Sequence, residues 1–218
     1  MPRPHREISL ALAERDPVLA RLVDQHGPMH LPPPPRAAQR FEQLARAITY
    51  QQLAGRAAST IWGRVRALVP GELTPEAVLS VHPEGLAGAG LSRAKQAAIV
   101  DLAVRVVDGR LTLSRIGRLP DEAVIEQLVQ VRGIGRWTAQ MFLLSSLHRL
   151  DVWPTGDLGV RAGFARAWGL AEVPSPADLE PLGEPYRPWR SVVAWYCWRA
   201  ADTVTLDTGP AGNTSASS

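Results

Sequence analysis

The chain has 218 residues, 45% of them hydrophobic, enough for one generous domain or two small lobes with a buried core and no covalent staples. A net charge of +3 and an isoelectric point near 9.6 admit a polyanionic partner without requiring one. Cys197 is the only cysteine, which excludes an internal disulfide, a cysteine-based zinc site and the four-thiolate cage of an iron–sulfur cluster.

Residues 1–35 read as one N-terminal helix followed by a connector. Asp16-Pro17 is a helix start, with Val18, Leu19, Leu22 and Val23 on one face and Gly27 at the end. Four consecutive prolines within residues 31–36 make an extended link. Phe41, Leu44, Ala45 and Ile48 then recur at helical spacing, as do Ile99, Leu102, Ala103 and Val106 after the cap at Ser92. Thr74-Pro75 and Ser175-Pro176 mark further starts, Gly109 and Gly169 further ends. With no strand alternation flanked by hairpin turns, the reading is all-α, with about nine or ten helices. Residues 206–218 have the composition of a disordered tail. No apolar stretch approaches the roughly 18 residues of a membrane span, and MPRPHREISL lacks a signal peptide's apolar core. A soluble, cytoplasmic protein is expected.

The most informative stretch is PDEAVIEQLVQVRGIGRWTAQMFLLSSL. A helix is expected over 121–131, a turn through Gly133, Ile134 and Gly135, and a new helix from Arg136. The glycines permit positive φ and remove side-chain bulk, so the amides of the turn and of the next helix's first residues can converge on one phosphate oxygen. Ile134 should point inward and lock the two helices together.

Downstream, DVWPTGDLGVRAGFARAWG puts Asp157 at the start of another helix after the Pro154-Thr155-Gly156 loop. An aspartate there is most often an ordinary cap. The same position faces the amides and dipole of a helix N-terminus, which favour negative charge and suit a group that must meet a developing cation. Asp151, the nearest rival carboxylate, reads as a structural cap or loop hydrogen-bonder.

The pattern Leu128-x-x-Val131-x-Gly133-Ile134-Gly135-x-x-Thr138-Ala139 resembles the helix-hairpin-helix of the base-excision DNA glycosylase superfamily. Gly-Ile-Gly-Arg-Trp-Thr-Ala is similar to the 3-methyladenine DNA glycosylase II branch. The resemblance runs over roughly residues 41–201 and implies two interleaved helical lobes around a cleft. The core would fill 36–205, with no N-terminal β domain, because about 40 residues ahead of Phe41 leave too little room. It implies that Gly133, Ile134, Gly135, Arg136 and Thr138 meet double-stranded DNA, and that Asp157 is the essential carboxylate. Such an enzyme flips an alkylated purine out of the stack and hydrolyses its glycosidic bond, leaving an abasic site.

Relatives that also nick the strand carry a lysine two residues after the second hairpin glycine, where this chain has Trp137. Lys95 is the only lysine among 24 basic residues, so a Schiff-base lyase step is not expected. Trp137, Trp198 and Met141 are implied for the base pocket, where cationic alkylated purines are held by stacking and cation–π attraction. Trp189 and Trp195 read as core. The segment FEQLARAITYQQLAGRAA resembles the one that plugs the gap left by the flipped base, with Gln52 and Leu53 as the wedge. Lys95 reads as a solvated helical lysine or a phosphate contact. A monovalent cation on the carbonyls of Val129, Val131 and Ile134 is also implied, with no cofactor otherwise required and a monomeric state. The rival readings are a glycosylase for oxidised, deaminated or mismatched bases, and a non-catalytic helix-hairpin-helix DNA-binding protein.

Overall fold

In the computed structural model, which describes residues 5–201, every regular element is helical and the chain divides into two units, residues 1–33 with 149–218 and residues 34–148. The expected tail at 206–218 lies outside the described residues. The leading segment holds two helices, α1 (His5–Ala13) and α2 (Pro17–His26), and both belong to the first unit. Asp16 caps α2 as its sequence signals: Oδ1 accepts the Val18 amide at 2.7 Å, with Pro17 in the first turn. The other carboxylate oxygen accepts Tyr186 Oη–H at 2.6 Å and Trp168 Nε1–H at 3.1 Å. Burial first, and then the Asp16 bond, pushes the Tyr186 hydroxyl well above the ordinary tyrosine range. Residues 27–36 contain no helix or strand.

The second unit runs α3 (Arg40–Tyr50), α4 (Gly55–Ala67), α5 (Pro75–Ser80), α6 (Pro83–Gly88), α7 (Arg93–Val107), α8 (Asp121–Leu128) and α9 (Arg136–Ser145). α7 is its spine, since α3, α5 and α6 all pack against it. Phe41, Leu44, Ala45 and Ile48 of α3 are buried, as are Ile99, Leu102 and Ala103 of α7, so the helical spacing read from the sequence is the core-facing stripe, except that Val106 near the end of α7 is only half-buried. Thr74 and Ser92 accept the amides of Ala77 and Lys95 and start α5 and α7.

The chain returns to the first unit with α10 (Leu158–Trp168), α11 (Pro176–Leu182) and α12 (Arg190–Ala200). α12 is buried on every face from Arg190 to Trp198, the property of a central helix, and only Arg199 and Ala200 at its end are half-buried. It packs on α1, α2 and α10. Against α10 the approach is so close that a Cβ on Gly163 would fall inside the Cys197 carbonyl. Twelve α-helices among the described residues exceed the sequence expectation, because the N-terminal segment holds two helices where one is expected and the six-residue α6 is too short to show a periodic stripe. No helix among the described residues is long and apolar enough to cross a membrane.

Candidate active site and nucleic-acid interface

The loop ahead of α10 turns on itself. Trp153 O accepts the Thr155 amide at 3.0 Å and Pro154 O accepts the Asp157 amide at 2.9 Å, so Asp157 enters α10 as an extended N-cap. Its Oδ1 accepts two hydrogen bonds, from Val160 N at 2.8 Å and from Trp198 Nε1 at 3.0 Å. The first is ordinary capping. The second comes from α12, 41 residues on in the sequence, and it fixes the plane of the carboxylate against an indole. Asp157 and Trp198 are each only 9% exposed, so the charge sits where water screens it weakly and electrostatic effects are enlarged. The neighbouring Cys197 thiol is pushed far up, by burial first and by the Asp157 charge second.

Asp151 has a different task. It accepts Arg190 Nε at 2.8 Å and Arg187 Nη1 at 2.6 Å, and Glu184 and Glu180 stand 3.5 and 3.6 Å from the same buried Arg190. Burying a guanidinium is costly unless it is answered in this way. Asp151 therefore has the structural role expected of it: it anchors the start of α12, accepting the Arg190 amide at 3.5 Å and pairing with the buried Arg190 guanidinium. Trp195 is core, as expected, but Trp189 is only half-buried, because it precedes α12 at its exposed end.

In the second unit the hairpin joins α8 to α9. α8 stops at Leu128, short of the expected Val131, because the chain tightens: Val131 N bonds to Leu128 O and Ile134 N to Val131 O, each at 3.0 Å. Gly133 has φ of 76° and a Cβ there would lie 3.2 Å from the Ala98 methyl on α7, so both its backbone conformation and its close packing call for glycine. Ile134 is buried between the helices, as expected. Gly135 is the N-cap of α9, and the first backbone turn bond is from Ala139 N to Gly135 O at 3.1 Å. The amides of Arg136, Trp137 and Thr138 thus precede the helix's own ladder, the geometry that receives an anion.

Arg136 pairs with Glu122 through two bonds of 2.9 and 2.6 Å, both side chains well exposed. Thr138, expected among the DNA-facing residues, has a buried side chain whose Oγ1 accepts Gln51 Nε2–H at 3.3 Å. Any DNA contact from Thr138 is therefore through its backbone. On α9, Trp137 is 47% exposed and Met141, one turn later, is buried.

Gln52 and Leu53 occupy the exposed turn between α3 and α4, Gln52 with φ of 56°. Lys95 is half-buried and does more than meet solvent. Its Nζ donates to Thr49 O at 2.8 Å and Gln51 O at 2.7 Å, across the end of α3, and desolvation lowers its pKa. Gln51 in turn donates to Gly133 O at 2.9 Å. Backbone carbonyls leave no mark in a sequence, so neither link was foreseeable from residue spacing. Among the described residues no group of three or more His, Cys, Asp or Glu side chains could hold a metal ion. The hairpin carbonyls of Val129, Val131 and Ile134 are neutral donors, a set whose chemistry fits a weakly charged monovalent cation.

Residues 45–188 match the family model of the HhH-GPD superfamily of base excision DNA repair proteins. The chain belongs to this superfamily. It is 34% identical over 164 residues to DNA-3-methyladenine glycosylase 1 of Schizosaccharomyces pombe, covering 74% of this chain and 72% of that one. A solved structure of the S. pombe 3-methyladenine DNA glycosylase in complex with abasic DNA superposes with a TM-score of 0.80 at 30% identity, covering 94% of this chain and all of the other. A DNA-3-methyladenine glycosidase from Bacillus halodurans gives a TM-score of 0.79 at 35% identity, over 93% and 91% of the two chains. The all-helical architecture is that of the family.

Proposed function

We propose that the protein is a DNA glycosylase that excises alkylated purines of the 3-methyladenine type by simple hydrolysis, leaving an abasic site. The observation that carries this reading is the Asp157 carboxylate, buried at the start of α10 and clamped on one oxygen by Val160 N and Trp198 Nε1, in a chain of the HhH-GPD superfamily.

The chemistry follows from charge. A purine alkylated at a ring nitrogen is cationic, so the pair of electrons of the breaking C1′–N bond neutralises it and no strong acid is needed at the leaving group. Positive charge builds on the sugar instead, and a fixed carboxylate in a poorly hydrated setting stabilises that charge without reorganising. Water adds to C1′, and its proton is lost to solvent by way of the carboxylate. Trp198 supplies an aromatic face for a cationic base, and Trp137 and Met141 are assigned to base recognition on the family resemblance.

DNA is gripped at the hairpin of Gly133, Ile134 and Gly135, where the Ile134 amide is already held by Val131 O and the remaining amides of the turn face the phosphate, with Arg136 and the backbone of Thr138, and the gap in the stack is filled by Gln52 or Leu53. The carbonyls of Val129, Val131 and Ile134 would hold a monovalent cation that adds positive charge beside the phosphate. The absence of a lyase step is supported by Trp137 at the position of the Schiff-base lysine and by the engagement of Lys95 Nζ with two carbonyls. The enzyme acts as a monomer in the cytoplasm, on the nucleoid.

The test is chromatography of bases released from methylated duplex DNA by the wild type and by Asp157→Asn, both checked for folding by circular dichroism. Release of methylated purines by the wild type alone is expected. Equal release by both would remove Asp157 from the mechanism. No release by either, with equal DNA binding, would favour another lesion or a non-catalytic binding role.

A further inference from the structure

The turn that carries Gln52 and Leu53 has no side-chain cap of its own. α3 ends at Tyr50, Gln51 leaves the helical conformation with ψ of 132°, and Gln52 lies in the left-handed region that a non-glycine residue occupies only when its surroundings hold it there. The turn's own backbone contributes two long bonds, Gln51 N to Ile48 O at 3.4 Å and Leu53 N to Tyr50 O at 3.3 Å, and two side chains add shorter ones. Lys95 Nζ bridges Thr49 O and Gln51 O at 2.8 and 2.7 Å, placing a positive charge on the carbonyl end of α3, where the helix dipole favours it. The Gln51 side chain reaches the other way, to Gly133 O and Thr138 Oγ1 of the hairpin.

The choice of lysine is informative because this chain meets its other 23 basic positions with arginine. A compact ammonium with tetrahedral donors can sit between two converging carbonyls, where a planar guanidinium fork does not match. The same face of α7 also carries Ala98, packed beneath Gly133, and Asp101, whose Oδ2 accepts the Arg132 amide at 2.8 Å. Lys95, Ala98 and Asp101 follow one another at helical spacing. One stripe of α7 thus sets both the exposed turn and the hairpin.

We propose that Lys95 and Gln51 are positioning residues that brace the Gln52-Leu53 turn in fixed register with the Gly133 hairpin, so that the turn enters the duplex as the hairpin grips the phosphates. This rests on the DNA glycosylase reading. The brace acts on insertion into DNA and leaves the bond-breaking step to other residues.

The test uses the full chain and a duplex carrying a tetrahydrofuran abasic analogue opposite 2-aminopurine, whose fluorescence responds to a side chain entering the stack. The wild type should give a saturable change that Gln52→Ala combined with Leu53→Ala abolishes. Lys95→Met should cut its amplitude by about threefold or more, a shift in the inserted population, while affinity for an intact duplex changes by less than about twofold. Lys95→Arg should be intermediate, and Gln51→Leu should repeat the loss, carrying the test if Lys95→Met fails to melt cooperatively. Wild-type amplitude in both Lys95→Met and Gln51→Leu, or no insertion signal from the wild type, would overturn the brace. So would a parallel loss of intact-duplex affinity, which marks general damage.

Base release from methylated DNA, measured beside this, reports on the glycosylase alone. Release without Lys95 dependence of insertion keeps the enzyme and removes the brace. Lys95-dependent insertion without release keeps the brace and removes that enzyme reading.

Discussion

The loop that opens α10 and the turn that opens α4 both end one segment and launch a helix, yet they are held by different means. At the first, a carboxylate is clamped by an amide of its own helix and by an indole from a distant one, and both Asp157 and Trp198 are nearly closed to water. At the second, the chain is exposed at Gln52 and Leu53 and is held from behind, through its carbonyls, by Lys95. A charge that must stabilise another charge gains from a dry, rigid setting. A side chain that must enter DNA has to project into solvent while its backbone stays firm. Substitutions at the two places should therefore separate chemistry from recognition.

The largest effect expected is on the chemical step. Asp157→Asn retains a good cap but loses the negative charge, so single-turnover base release should fall by about 100-fold to 1,000-fold, some 3 to 4 kcal/mol of barrier. The melting temperature should barely move, since Asn caps a helix as well as Asp does. A large loss of stability would mean that Asp157 is chiefly a structural cap.

Next comes the scaffold behind that carboxylate. Gly163→Ala forces a methyl into the Cys197 carbonyl, and overpacking of this kind costs about 3 kcal/mol or more. Thermal denaturation should show a drop of several degrees, and activity measured below the new transition should fall too, because α12 carries Trp198. Trp198→Phe keeps an aromatic face and removes only the N–H donated to Asp157. About 1 to 1.5 kcal/mol, roughly a tenfold slowing, is expected, and pre-steady-state release at saturating enzyme would isolate it from binding.

The smallest effect belongs to the second unit. Desolvation works against ionised Asp101, but the Arg132 amide and the Arg105 guanidinium outweigh it and hold the carboxyl below the ordinary aspartate range. A group whose pKa is lower in the folded state adds stability above its unfolded value and loses it as pH falls through the folded one. The stability difference between wild type and Asp101→Asn, about 1 kcal/mol near neutrality, should therefore shrink in urea titrations as pH drops through and below the ordinary aspartate range. A difference constant with pH would show that the charge is not what ties α7 to the hairpin.

Much of this was legible in the sequence because capping and turn chemistry are local. Asp16, Thr74, Ser92 and Ser175 each accept an amide at the helix start they signal. Gly133, with φ of 76°, and buried Ile134 follow from the hairpin pattern, and Asp157 from its place after a proline-glycine loop. What escaped was tertiary and backbone-directed. Lys95 finds carbonyls some 45 residues earlier. Asp151 finds Arg190, 39 residues later, and the hydroxyl of Thr138 turns inward to Gln51. α8 ends three residues before its sequence pattern does, because residues of helical composition follow Leu128 while the hairpin bonds of Val131 and Ile134 bend the chain away.

The close crossing of α10 and α12 also gives the molecule a built-in reporter. Its one thiol, Cys197, is fully buried there, and its thiolate is disfavoured by burial and by the neighbouring carboxylate. A thiol-reactive dye can attach only when α12 parts from its neighbours. Labelling rates across a gentle denaturant series would then count the openings of that crossing, and would show whether the indole lets go of the carboxylate before the whole chain unfolds.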